Sequence, residues 1–155
     1  MEATMATFKR NHMKLLTIDP GLSGTGWAQF ENNKLYYWGI VWPKKGKDIM
    51  TQIHMDILHF YDGEKIVIEW PSFQGMIAQN TGSIIKLAYL IGRIYETCLT
   101  FEYKPELLPV SKWRGTCPKE INWKRAEKFF GKKGFKSHAA DAVSMGAFLI
   151  QENLV

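Results

Sequence analysis

Apolar positions along the chain fall into two kinds of stretch. Short apolar runs closed by a single acid alternate with longer stretches in which apolar residues recur at helical spacing. The first short run, Leu15-Leu16-Thr17-Ile18, ends in Asp19 and is followed by Pro20 and three glycines, Gly21, Gly24 and Gly26. It predicts a strand over 14–19, a turn, and a second strand over 25–30. Asn32-Asn33 predicts a tight turn into a third strand over 34–41, which is rich in aromatic and β-branched residues. These three strands form an antiparallel meander that stops at Pro43 to Gly46. Ile49, Met50, Ile53, Ile57, Leu58 and Tyr61 then repeat at helical spacing and predict a helix over 48–61. The second acid-closed run, Lys-Ile-Val-Ile-Glu-Trp over 65–70, predicts a central strand covered on both faces, with Glu69 at its end.

Residues 71–81 read as a loop, yet Phe73, Met76 and Ile77 make it too apolar for a plain connector. It is either folded onto the core or placed to probe a substrate beside Glu69. A long helix is predicted over 82–101. Its apolar face is wider than one stripe, which suits burial against the sheet and against something else. A second subunit and the role of central helix in one domain both satisfy that pattern. A fifth strand over 106–109 leads into a basic segment, a helix over 119–130, and a last helix over 137–151 with Ser137 as its expected N-cap. There are no repeats and no low-complexity linker. The reading is one α/β domain over 14–155, preceded by a loose extension over 1–13.

Composition narrows the classes. The chain has 155 residues, 46% hydrophobic and 23% charged, enough for one globular core. No apolar run is long enough to span a membrane, and the polar start carries no apolar signal region, so a cytoplasmic protein is expected. Cys98 and Cys117 have no zinc or CxxC spacing and read as reduced thiols. His54 and His59 are five apart on their predicted helix, not four, and read as surface or packing residues. The net charge is +5, but residues 112–136 alone carry +7, leaving −2 for the rest. So concentrated a basic segment is the footprint of phosphate-backbone binding, although a solvated helix face and a Lys-rich loop would account for about half of it.

Three acids and a histidine interrupt apolar or small-residue surroundings at element ends. Asp19 closes the first strand and Glu69 the fourth. His138 and Asp141 are three apart in the first turn of the last helix and share one face. If the first and fourth strands are parallel neighbours, both strand acids lie at the carboxyl edge where α/β sheets hold their sites. If the last helix starts there too, all four groups converge. Carboxylate-rich, sulfur-free sites suit magnesium or manganese, and one imidazole leans slightly toward manganese. Two such ions could hold a scissile phosphate, one activating the attacking water and the other stabilising the leaving 3′-oxygen. In this light Gly21, Gly24 and Gly26 read as clearance for a DNA backbone.

The residues resemble the RuvC-type Holliday-junction resolvases. Ile18-Asp19-Pro20-Gly21 with Thr25-Gly26 matches the family's opening motif. Val67-Ile68-Glu69 matches the second, and His138-Ala139-Ala140-Asp141-Ala142 the last, with His where many members have Asp. The resemblance runs from Lys14 onward and implies a ribonuclease-H-like fold, with a five-stranded mixed sheet (three antiparallel strands, then two parallel) flanked by helices. It implies a crossover junction endodeoxyribonuclease that leaves 5′-phosphate and 3′-hydroxyl ends through paired nicks. Asp19, Glu69, His138 and Asp141 would be both the catalytic set and the ligands of two Mg2+ ions, with Mn2+ able to substitute. The implied partner is branched DNA, four-way junctions above all. The implied assembly is a homodimer formed through the long helix.

Phe73 resembles the family's junction-probing aromatic, and Lys112 a lysine after the fifth strand. Lys119 and Lys124 both compete for a further family lysine. Arg114, Lys132 and Lys133 complete the expected DNA-binding set. Trp113 and Trp123 match no family motif. The compact size resembles phage or bacterial versions, implying a bacterial or phage-infected host cell; some phage members cut several kinds of branched DNA. Two rivals remain. One is a non-cleaving branched-DNA-binding module of the same fold. The other is an actin-like nucleotide-binding domain, which shares a DPG phosphate loop but needs two such domains where this chain has one.

Overall fold

The computed structural model of the protein describes residues 13–63, 65–72 and 81–155. Strands β1 (Lys14–Asp19), β2 (Thr25–Glu31) and β3 (Lys34–Val41) form the expected meander. Asn32 and Asn33 both take positive φ, 50° and 64°, as a two-residue hairpin turn matched to the strand twist requires. Helix α1 (Ile49–Asp56) follows, then β4 (Lys65–Trp70), α2 (Thr81–Thr100), β5 (Lys104–Pro109), α3 (Val110–Trp113), α4 (Lys119–Phe130) and α5 (Ser137–Gln151). The sheet order is β3-β2-β1-β4-β5. The β1/β2 and β2/β3 pairs are antiparallel, while β1/β4 and β4/β5 are parallel. This is the five-stranded mixed sheet expected, with β1 and β4 side by side at its centre.

Alternation along the two central strands sorts their side chains between two cores. Leu16, Ile18, Ile66 and Ile68 pack against α1 and α2, with Ile53, Ile91 and Ile94. Leu15 and Val67 face the other way, against α5 with Ala140, Val143 and Met145. Thr17 also faces α5: its fully buried hydroxyl donates to the Ala142 carbonyl at 2.7 Å, stitching strand to helix. Asp19 and Glu69 stand two residues beyond Thr17 and Val67. The same alternation carries both acids to the α5 face.

Three local expectations change. The helix expected over 48–61 ends at Asp56 and gives way to a 3-10 turn at Leu58–Phe60. Asp48 is its N-cap, accepting from the Thr51 amide at 3.3 Å while Arg93 of α2 donates to both its carboxylate oxygens at 2.8 Å. Ser137 is not the N-cap of α5; it is the first helical residue, with φ of 47°, and Lys136 precedes it without a side-chain cap bond. The central helix of the domain is α5, buried at Ala139 to Ala147. Helix α2 buries one stripe (Leu90, Ile91, Ile94, Cys98) and leaves Ile85, Tyr89 and Leu99 exposed, so it lies on one face of the sheet only. Small residues explain why α5 takes the centre. A Cβ on Gly146 would stand 2.0 Å from the Phe30 ring, so glycine there lets the helix lie directly on the sheet. Residues 1–12 of the expected extension lie outside the described residues; Met13 already belongs to the hairpin, its carbonyl accepting from the Asn32 amide at 3.0 Å.

Candidate active site

Asp19 and Glu69 follow the paired residues Ile18 and Ile68, so they end adjacent parallel strands at the same sheet edge. Opposite Asp19 on β2 lies Gly26, and over Gly26 runs the first turn of α5. A Cβ at Gly26 would stand 2.0 Å from the His138 carbonyl oxygen. One at Gly21 would meet the Gly24 carbonyl at 2.5 Å and the His138 ring at 2.9 Å, and one at Gly24 would meet the Trp42 ring at 3.0 Å. The space these glycines leave is therefore filled by protein. The expectation that they clear room for a DNA backbone is corrected: Gly21 and Gly26 let α5 and its histidine come down onto the strand ends, and Gly24 admits the Trp42 ring. Ser137, one residue before His138, holds a positive φ where an L side chain is strained.

With the helix seated there, His138 Nδ1 stands 2.9 Å from Asp19 Oδ2, a bond spanning more than a hundred residues of sequence. Asp141, one turn along and 3% exposed, accepts from the Lys119 ammonium at 3.0 Å and the Trp123 indole N–H at 2.9 Å. Glu69 accepts from the Trp113 indole N–H at 3.1 Å. All four sequence-predicted site residues are thus in one neighbourhood.

That proximity shapes their electrostatics. Burial pushes the Glu69 carboxyl up to about 8, and the negative fields of Asp19 and Asp141 push the same way, only partly offset by Arg114 and the Trp113 bond. Burial raises Asp19 as well, against the His138 bond. His138 is raised in turn by its bond to Asp19. The field of Asp141 pushes both Asp19 and Glu69 up, and Asp19 pushes Glu69 further, so the site has a deficit of positive charge. Hard oxygen donors, one imidazole and no sulfur suit a small divalent cation. Among the described residues, however, no three acid, imidazole or thiol groups form a ready-made ligand cage. The oxygens are turned instead to His138, Lys119 and the two indoles.

Solved structures resemble most of the chain, two of RuvC among them. Thermus thermophilus RuvC in complex with a Holliday junction substrate superposes with a TM-score of 0.72 at 17% identity, covering 92% of this chain and 96% of that one. A second Thermus thermophilus RuvC structure gives 0.69 at 18%, covering 91% and 97%. The fold is that of RuvC. No protein-family model matches the sequence, and no curated relative does. At such identity the RuvC likeness speaks for the fold, and the site rests on this chain's own residues.

On this RuvC-like frame the predicted DNA-binding residues are spread unevenly. Lys119 is in the site itself, and Arg114 is near enough to lower the Glu69 pKa while its guanidinium lies 5.8 Å from the Trp113 ring centroid. Lys112, Lys124 and Lys133 are exposed. Lys132 donates to the Leu35 carbonyl at 3.0 Å and stands 5.0 Å from the Trp38 ring centroid, joining its loop to β3. Phe73 lies outside the described residues. Sequence reading passed over Trp113 and Trp123. The available signal was spacing: Trp123 is four residues after Lys119 and so shares its helix face.

Proposed function

We propose that the chain is a metal-dependent endonuclease that resolves four-way DNA junctions, with other branched DNA in its range. It would act by paired phosphodiester hydrolysis, leaving 5′-phosphate and 3′-hydroxyl ends. What supports this reading is the convergence of Asp19, Glu69, His138 and Asp141, from three distant segments, at one sheet edge beside exposed lysines. Asp19, Glu69, His138 and Asp141 would hold Mg2+, or Mn2+, in two positions, supplying a Lewis acid for the scissile phosphate and a lowered pKa for the attacking water. The His138 imidazole orients Asp19 through Nδ1. Lys119 would leave Asp141 for the substrate phosphate as cation and DNA arrive, keeping the charge of the site balanced. Of the two lysines that compete for this role, its bond to Asp141 favours Lys119 over Lys124.

Lys112, Arg114, Lys124, Lys132 and Lys133 would hold backbone phosphates, contacts that position DNA without reading sequence. Phe73 would stack on or wedge between junction bases. The exposed Ile85, Tyr89 and Leu99 on α2 favour the homodimer, which would bring two sites to one junction. Among the described residues no helix is long and apolar enough to cross a membrane, and we place the protein in the cytoplasm of a bacterial or phage-infected cell.

One observation favours a second reading. With the Lys119 ammonium on Asp141, the same fold could hold branched DNA without cutting it. Incubating end-labelled four-way, three-way and linear DNA with the protein in Mg2+, in Mn2+ and in chelator separates the two. Paired cuts near the branch point, only with metal, are expected. Tight junction binding with no cuts would establish the binding module, and equal cutting of linear DNA would overturn junction specificity.

A further inference from the structure

Two tryptophans in the basic segment have no place in the sequence motifs, yet both indole N–H groups end on site acids. Trp113, 6% exposed at the end of α3, donates to Glu69 Oε2. Trp123 donates to Asp141 Oδ1 from the α4 face that also carries Lys119 on Oδ2, so one helix face grips both oxygens of one carboxylate. We propose that Trp113 and Trp123 are positioning residues that fix the orientation of the Glu69 and Asp141 carboxylates at the sheet edge they share with Asp19. This rests on the nuclease reading of the site.

The physical case is specific to indole. Three acids crowded at one sheet edge repel, and an unrestrained carboxylate would swing to water. A hydroxyl or amide could hold it, but each can also accept, and so can turn its lone pair instead. An indole N–H only donates. Its ring has two torsions, and Trp113's is sealed in the α5-side core, so the donor stays aimed. The bond is neutral, so it restrains the acid without cancelling the charge a divalent cation would need. It also takes one oxygen of Glu69; among the described residues no hydrogen bond reaches Oε1. Such outer contacts to metal-ligating groups are commonly worth 10- to 100-fold in metal affinity. The basic segment would then have two tasks: exposed lysines for DNA, buried indoles for the acids.

Trp113→Phe and Trp123→Phe keep a ring and remove the donor. Mn2+ affinity, measured without DNA by water-proton relaxation, should weaken about 10-fold or more in each, while junction affinity in chelator stays at the wild-type value. In the wild-type protein, two of the six indole N–H resonances should move most as Mg2+ is titrated, and each variant should lose one of those two. Should Trp113→Phe fail to fold, the half-buried Trp123 decides alone. Folded variants that bind Mn2+ within twofold of wild type, or Mg2+-responsive resonances belonging to other tryptophans, would overturn the indole assignment and leave the nuclease reading standing. A wild-type protein that binds no Mn2+ and cuts no junction would overturn the nuclease reading and this one with it.

Discussion

Asp19 is the residue on which the site turns. It is 5% exposed and bonded to His138, the field of Asp141 raises it, and its own field pushes Glu69 up. Asp19→Asn keeps the shape but removes the charge. Cleavage of a labelled junction should be abolished while gel-shift affinity in chelator survives; wild-type cutting rates would remove Asp19 from the site. Glu69 gives a second test, through pH. Its carboxyl ordinarily titrates at 4.5 but is pushed up to about 8 in the fold. Between those values the native chain keeps a proton that the unfolded chain has released, so stability of the metal-free protein falls as pH rises across the window. His138 acts in the same direction. Its pKa is raised by Asp19, so its contribution is full below its ordinary 6.5 and is lost as pH rises through the folded value. Melting temperatures in chelator should fall from pH 5 to 8.5, and Glu69→Gln should flatten much of that slope. An unchanged slope would show that Glu69 ionises freely.

At the scale of elements, the decisive contact is between α5 and the β1/β2 strand ends. Thr17 sets the helix at mid-height through the Ala142 carbonyl, and Gly26 admits its first turn. Gly26→Ala would drive a methyl group into the His138 carbonyl. We expect a loss of about 1–3 kcal/mol, seen by urea unfolding, together with a loss of cleavage larger than the stability change alone explains, because His138 and Asp141 both ride on the displaced turn. Gly26→Ala with normal cleavage would mean that the helix start can shift without harm.

For the molecule as a whole, charge is the lever. The +7 of residues 112–136 lies on the same segment that supplies Lys119 and both indoles, so DNA held by its exposed lysines, as proposed, would be brought to the acids. Junction affinity should fall linearly with the logarithm of salt concentration. Lys124→Ala and Lys133→Ala should each reduce the slope by about one, with little change in preference among junction sequences. Slopes equal to wild type would place the DNA elsewhere.

Periodicity along the chain was enough for the strands, the hairpin at Asn32-Asn33 and the main helices, because each is set by local spacing of apolar and turn residues. The acids were legible for the same reason: Asp19 and Glu69 break apolar runs, and His138 and Asp141 lie three apart on one helix. Their meeting was not a local property. It depended on β1 and β4 pairing in parallel and on side-chain parity turning both acids toward one helix. Local reading misjudged Ser137, whose capping preference is overridden by the turn that seats His138, and it mistook the glycines' clearance for a DNA path. It left Trp113 and Trp123 without partners, since spacing can put Trp123 on the face of Lys119 but an indole's partner is set by where whole elements land rather than by its neighbours in sequence. What the amino-acid order determined by itself is the set of elements and the chemistry available to them. Which groups face one another was decided only by long-range packing, because close approach across a hundred residues depends on how whole elements fit together.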